Sequence, residues 1–294
     1  MTGGAGKADK DAPLAPGLYL VATPIGNLED ITLRALRVLR QVDRIACEDT
    51  RQTQKLLNHF GIETPTVSYH MHNETGRARE LVGQLTAGAR IAVVSDAGTP
   101  GIADPGAEIA SVAIAAGVPV FPVPGANAAV SALVASGLAA ESFTFYGFLP
   151  AKAGQRRTAL EELRERAGAV GTCVFYEAPH RIVEALADVE AVFGAGQHVV
   201  VARELTKLHE EFLRGSVRDV REMLAGRESV RGEIVMLLAP VVAAEKTARS
   251  VADEVRALMK QQGLSEMDAL KLVAKARGMG KSEAYRELQR VRGR

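Results

Sequence analysis

From residue 18 to residue 136 the chain alternates short apolar runs with longer stretches of helical spacing. Leu18–Ala22, Arg44–Cys47, Thr66–His70, Ile91–Val94 and Val118–Val123 read as strands. Several carry almost no polar interruption, as expected of strands covered on both faces. Between the first two, Ile31, Ala35, Val38, Leu39 and Val42 keep a helical period while Arg34, Arg37 and Arg40 take the other side, with Asp30 placed to cap. Gln52–Phe60, Glu74–Ala87, Glu108–Ala116 and Ala128–Ser136 complete the helices. Strict alternation of this kind predicts an α/β fold built on a parallel sheet. Pro119 and Pro122 put the fifth strand at an edge or make it irregular.

From Phe143 the texture changes. Phe143, Phe145 and Phe148 mark a more aromatic strand, and Thr172–Tyr176, Val199–Ala202, Phe212–Gly215 and Gly232–Leu238 follow. Helices are expected at Thr158–Ala167, Ile182–Phe193 and Val217–Leu224, with Ala151–Arg157 as a polar, basic linker. Beyond Ser250 three helical stretches appear, Val251–Gln261, Glu266–Ala276 and Ser282–Val291, with Ser265 and Ser282 as N-caps. The organisation expected is a disordered lead-in over 1–16, an α/β domain over 17–125, a second over 126–240 and a small helical domain over 245–294.

Composition narrows the classes. The 294 residues are 47% hydrophobic, ample for two cores, with no run long enough to span a bilayer. The first sixteen residues have no apolar signal core, so the cytoplasm is the expected compartment. Cys47 and Cys173 stand far apart and suggest neither a disulfide framework nor a zinc site. His70 and His72 lack further ligands nearby, so no metal is expected. Tryptophan is absent and aromatics are 4%, which argues against many exposed stacking rings. The net charge of +1 hides a split: residues 241–294 hold 12 Lys+Arg against 7 Asp+Glu, and the rest 24 against 28. A basic end on a mildly acidic body suits a polyanion partner; a three-helix tail could equally brace a dimer.

Chemistry concentrates where strands stop. Ile91–Val94 gives way to Asp96, Gly98, Gly101, Asp104 and Gly106 with Pro100 and Pro105, eleven residues of constrained loop. Such a loop at the carboxyl end of a parallel strand is where open α/β sheets bind ligands. Asp104 is also placed to cap the next helix. The first loop, Thr23–Asn27, lacks both the dinucleotide fingerprint and the triphosphate loop. Glu48-Asp49-Thr50-Arg51 fits a site edge or a capping cluster equally.

Seven motifs in one order carry a resemblance: Ala22–Thr32 (ATPIGNLEDIT), Cys47–Arg51 (CEDTR), Val94–Gly106 (VSDAGTPGIADPG), Pro122–Ala128 (PVPGANA), Phe175–Arg181 (FYEAPHR), Ala202–Glu211 (ARELTKLHEE) and Gly232–Val235 (GEIV). Over about Leu18 to Leu238 the chain closely resembles the bacterial ribosomal RNA small-subunit methyltransferase I family, within the tetrapyrrole methylase superfamily. The resemblance implies two unlike α/β domains with a cofactor cleft between them, working as a homodimer. It implies S-adenosylmethionine as cofactor, and as activity 2′-O-methylation of the ribose of a decoding-centre cytidine in 16S rRNA. One departure is visible: Ala103 stands where the family usually has Ser or Thr before Asp-Pro-Gly.

By the same resemblance Asp96, Ala97, Gly98 and Ile102 lie against the cofactor, and Ala126, Tyr176, Ala202 and Gly232 add further wall. Pro24 and Gly26 would form the loop opposite the methyl group, where the acceptor enters. A ribose hydroxyl needs a base to take its proton. Glu48, Asp49, Asp104, Glu177 and Glu204 stand at strand ends, and spacing does not choose among them; Glu48, Asp104 and Glu177 are the leading candidates. Arg51, Arg181 and Arg203 are read as RNA-binding residues, because a guanidinium stays charged and forks onto phosphate; a salt bridge is the alternative for each.

Overall fold

The structure is a computed structural model that describes residues 13–70, 74–166, 171–240, 251–277 and 279–292. The chain divides into two compact units, Met1–Val241 and Val242–Arg294. The first unit begins with β1 (Gly17–Val21), α1 (Leu33–Gln41), β2 (Arg44–Cys47), α2 (Thr50–His59), β3 (Thr66–Ser68), α3 (Glu74–Thr86), β4 (Arg90–Val94), α4 (Ala107–Ala115) and β5 (Val120–Val123). The strands form one sheet in the order β3-β2-β4-β1-β5, every pairing parallel. β5, with its prolines, is at the edge as expected.

The helices cover both faces. Ala35, Val38 and Leu39 of α1 and Leu57 of α2 pack with Tyr19, Val21, Ile45 and Val94 on one side. Ala78, Leu81 and Leu85 of α3 and Ile109 and Ala113 of α4 pack with Leu18, Ile91 and Val93 on the other. The neighbours β1 and β4 therefore feed helices on opposite faces. That makes their carboxyl ends a switch point, where the two outgoing loops part and leave a crevice.

The second half is a different sheet. It comprises α5 (Ala128–Ser136), β6 (Phe143–Phe148), α6 (Ala153–Glu165), β7 (Thr172–Glu177), α7 (Ile182–Phe193), β8 (His198–Arg203), β9 (Glu211–Ser216), α8 (Val217–Ala225) and β10 (Ile234–Leu238). The order is β6-β7-β10-β8-β9; only β6–β7 is parallel. Ala129, Ala132 and Leu133 of α5 lie on this sheet against Val174, Val200 and Leu237, and Ile25 from the loop after β1 joins them. That shared core makes one unit of the two sheets.

Local readings needed four corrections. Thr32, not Asp30, caps α1 by accepting the Ala35 amide; Asp30 ends a 3-10 turn that Asn27 caps. Gly106 occupies the cap position of α4 with no side-chain bond, so Asp104 is free of that role. The stretch expected as a linker over 151–157 enters α6 at Ala153, and Arg156 is 1% exposed, bound to Asp188 at 2.7 Å. Ser282 lies inside the last helix, not before it. Of the histidine pair, His72 is outside the described residues.

The second unit holds α9 (Val251–Gln262), α10 (Glu266–Ala276) and α11 (Lys281–Arg292) around Val251, Val255, Leu270, Val273, Ala284 and Leu288. Ser265 caps α10 through the Asp268 amide.

Candidate functional site

The loops after β1 and β4 are stitched together. Thr23 and Gly98 exchange backbone bonds, Thr23 N to Gly98 O at 2.9 Å and Gly98 N to Thr23 O at 3.1 Å. The Thr23 hydroxyl donates to Ser95 O at 3.1 Å, and the Thr99 hydroxyl to Ala126 O at 3.2 Å. Four residues of the second loop have positive φ: Gly98 (84°), Gly101 (82°), Ala103 (61°) and Gly106 (140°). Gly106 also sits where a Cβ would stand 3.0 Å from the Gly101 amide nitrogen, a tight contact that adds to a φ favouring glycine. Ala103, the departure from the family pattern, holds a left-handed conformation that costs a non-glycine residue of order 1 kcal/mol.

This loop forms one wall of a cleft of about 450 Å³. Asp96, Ala97, Gly98, Thr99, Ile102, Ala103 and Asp104 line it from the β4 loop, with Glu48 from the end of β2 and Ile25 from the β1 loop. Opposite stand Tyr176 and Glu177 at the end of β7 with Ala178 and Pro179 after it, Phe148 at the end of β6, Leu205 after β8, and Gly232–Val235 at the start of β10. The wall is mainly apolar; Glu48, Asp96 and Asp104 gather toward the first sheet, and Glu177 and Glu233 stand opposite. Register explains the gathering. Cys47 pairs with Val94, so the residues that follow these two strands are neighbours, and Asp96 Oδ1 accepts the Asp49 amide at 3.2 Å.

Three carboxylates thus share one end. Burial, then the charges of Glu48 and Asp96, push Asp104 up to about 6. Burial, reinforced by Asp96 and opposed by His70, also raises Glu48. Burial raises Tyr176, with Asp104 and Glu233 adding to it. Glu177 is only 2% exposed; its Oε1 accepts the Ala178 amide at 2.8 Å and Arg181 at 2.6 Å, while Oε2 has no partner among the described residues. Among the described residues no group of three His, Cys, Asp or Glu side chains is placed to hold a metal ion.

The five carboxylates at strand ends therefore separate. Glu48, Asp104 and Glu177 face the cleft. Asp49 caps α2 and pairs with Arg51, and Glu204 binds Lys207 at 2.8 Å and the Glu233 amide at 2.9 Å. Among the expected cofactor contacts, Asp96, Ala97, Gly98, Ile102, Tyr176 and Gly232 line the cleft. Pro24, Ala126 and Ala202 stand just behind it: Pro24 before Ile25, Ala126 under Thr99, and Ala202 paired with Val235. The arginines divide too. Arg181, at the head of α7, ties Glu177 to the Leu149 carbonyl, and Arg203, at the end of β8, is held by Glu211 and two carbonyls. Their geometry is that of salt bridges. Arg51 also pairs with Asp49, at 3.1 Å, but its side chain is 87% exposed.

Sequence reading missed Ile25, Thr99, Phe148, Leu205 and Glu233. Ile25, Thr99, Leu205 and Glu233 lie inside the quoted motifs, which was the signal available, and Phe148 lies outside them; all five meet only because residues of the second sheet stand across the cleft from the first. The loop between β8 and β9 leans on the β1 loop, with the Thr206 hydroxyl accepting the Asn27 amide at 3.2 Å.

Comparison with known proteins agrees with this architecture. The family model of the tetrapyrrole (corrin/porphyrin) methylases matches residues 17–221. A ribosomal RNA small subunit methyltransferase I of Halalkalibacterium halodurans is 52% identical over 221 residues, 75% of each chain. One of Synechocystis sp. is 44% identical over 271 residues, covering 91% of this chain and 95% of its own. The solved uroporphyrin-III C-methyltransferase of Thermus thermophilus, complexed with S-adenyl homocysteine, shares the fold with a TM-score of 0.53 at 20% identity, over 76% of this chain and 98% of its own. With switch-point cleft, paired unlike sheets and these relatives in agreement, the chain belongs to the tetrapyrrole methylases and, within them, to the ribosomal RNA small subunit methyltransferase I family.

Proposed function

We propose that the protein transfers a methyl group from S-adenosylmethionine to the ribose 2′-hydroxyl of a decoding-centre cytidine in 16S rRNA. The names of the relatives support the RNA class. The observation that carries the chemistry is Asp104, a carboxylate raised to about 6 inside the cleft.

The residues suit the cofactor. A volume of about 450 Å³ falls within the roughly 300–1,000 Å³ of small-molecule sites. Ile25, Leu205, Ile234 and Val235 offer apolar wall for a purine, and the acidic end favours a cationic centre. S-adenosylmethionine supplies an electrophilic methyl on a sulfonium. The chain must then place the acceptor hydroxyl and take its proton. Asp104 suits the proton transfer, because it is ionised at neutral pH yet far more basic than a solvated aspartate. Glu48, raised in the same direction by burial, stands beside it and adds to the upward shift of Asp104. Glu177 is committed to Arg181 and a backbone amide and acts as wall. Arg51, exposed at the head of α2, is the arginine left to meet RNA phosphate.

The proposal includes a cytoplasmic homodimer. Val130 and Val134 on α5, 47% and 72% exposed, offer apolar surface for a second copy, and no helix among the described residues is long and apolar enough to cross a membrane. The deciding experiment is methyl transfer from labelled S-adenosylmethionine to small ribosomal subunits lacking the modification, with the product nucleoside identified. A 2′-O-methylcytidine is expected. Label on a base, or none despite demonstrated cofactor binding, sinks the reading.

A further inference from the structure

The C-terminal unit contains a single aromatic residue, Tyr285. A small three-helix core would ordinarily use such a ring, which buries more apolar surface than any of its Val, Leu or Ala neighbours. Here the core is closed by Val251, Val255, Leu270, Val273, Ala284 and Leu288, and Tyr285 stays outside it, 45% exposed. It stands in an open groove of about 380 Å³ between two helices. Met267, Leu270 and Lys271 line it from α10, and Ser282, Tyr285 and Arg286 from α11, the same i, i+3, i+4 spacing on each.

The floor is apolar, Leu270 with the 51% exposed Met267, and the rim is cationic. Arg286 Nε donates to the Ser282 carbonyl one turn back at 3.3 Å, which lays the guanidinium along α11. Lys271 lies beside Asp268 at 2.7 Å, with both side chains about half exposed. An exposed pair of that kind contributes little and yields readily to a phosphate. An apolar slot with one ring, flanked by two positive charges, has the make-up of a site for an unpaired nucleotide: base on the ring, phosphates on the cations. The charge of the region, 12 basic against 7 acidic residues over 241–294, points to the same occupant.

We propose that the α10–α11 groove binds single-stranded RNA, with a base stacked on Tyr285 and the flanking phosphates held by Lys271 and Arg286. This rests on the reading of the substrate as RNA, and it adds a second contact that belongs to the tail alone.

The test uses the full chain and a fluorescein-labelled, unstructured RNA 12-mer, followed by anisotropy at two salt concentrations. Tyr285→Ala is expected to weaken binding about tenfold, the usual worth of one stacked base, and Tyr285→Phe to bind as the parent does. Lys271→Glu with Arg286→Glu is expected to weaken binding and flatten its salt dependence. Circular dichroism and S-adenosylmethionine affinity, unchanged in all variants, separate a lost contact from a lost fold. Parental RNA affinity in both Tyr285→Ala and the charge-reversed variant overturns the proposal. So does a fall in sedimentation coefficient on Tyr285→Ala with RNA binding intact, because the groove then holds a second copy. Failure of the parent chain to methylate ribosomal subunits would strike the functional reading, whereas this inference stands or falls on oligomer binding.

Discussion

Glu74 Oε1 accepts the Gly106 amide at 3.2 Å, so the first residue of α3 holds the turn that carries Asp104. The same oxygen accepts the hydroxyl of Tyr69, a residue only 1% exposed, at 2.8 Å. The α4 cap position is Gly106 and has no side chain of its own, so a carboxylate from another helix does the capping. Losing that bond should loosen the cleft wall. Glu74→Ala is expected to weaken S-adenosylmethionine binding about tenfold, the worth of a charge-assisted hydrogen bond, while Glu74→Gln, which keeps the acceptor, stays within about twofold. Isothermal titration of both variants checks this; equal affinities for Ala and Gln would mean that Glu74 does not position the loop.

Asp104 sets a pH dependence. As the base it must be ionised, so transfer should rise with pH through about 6 and level off above. Asp104→Asn should lower the transfer rate by about 10²- to 10⁴-fold with cofactor binding retained. Its effect on stability has the opposite sign. The folded-state value of about 6 lies above the roughly 3.9 of a free aspartate, so the folded chain holds the proton more tightly and Asp104 subtracts stability as pH rises from one value to the other. Thermal melts should show Asp104→Asn above the parent at pH 8 and level with it near pH 4.

The arginines predict a contrast. Arg181→Ala strands the buried Glu177 carboxylate and should cost about 3 kcal/mol of stability, seen in denaturant unfolding. Arg51→Ala removes an exposed side chain and should leave unfolding unchanged. Its effect should appear in the KM for ribosomal subunits. An unchanged KM would remove Arg51 from the RNA contact.

Deleting residues 245–294 should weaken RNA binding by tenfold or more at one fixed salt concentration, since several basic residues leave with it, and should leave S-adenosylmethionine affinity within about twofold. The described residues that line the cleft belong to the first unit. Equal RNA affinity with and without the tail would assign it another role.

What the chain determined locally was legible from local pattern. Buried strands such as Ile91–Val94 have few other ways to satisfy an apolar run, the prolines made β5 an edge or irregular strand and it lies at the edge, and seven motifs in order carry the family. Parallel pairing followed from the alternation with helices, because a crossover requires it. Tertiary structure decided which strand-end carboxylates share a site. Glu48, Asp96 and Asp104 become neighbours through the β2–β4 register and the folded-back loop, and their mutual repulsion exists only at that distance. It also decided that Asp104 is not a cap, that Arg181 and Arg203 bind protein partners, and that Arg156 is buried within a helix. Charge and residue type are properties of the sequence. Which partner is within 3 Å, and how much water is left around it, depends on contacts between residues distant in the chain.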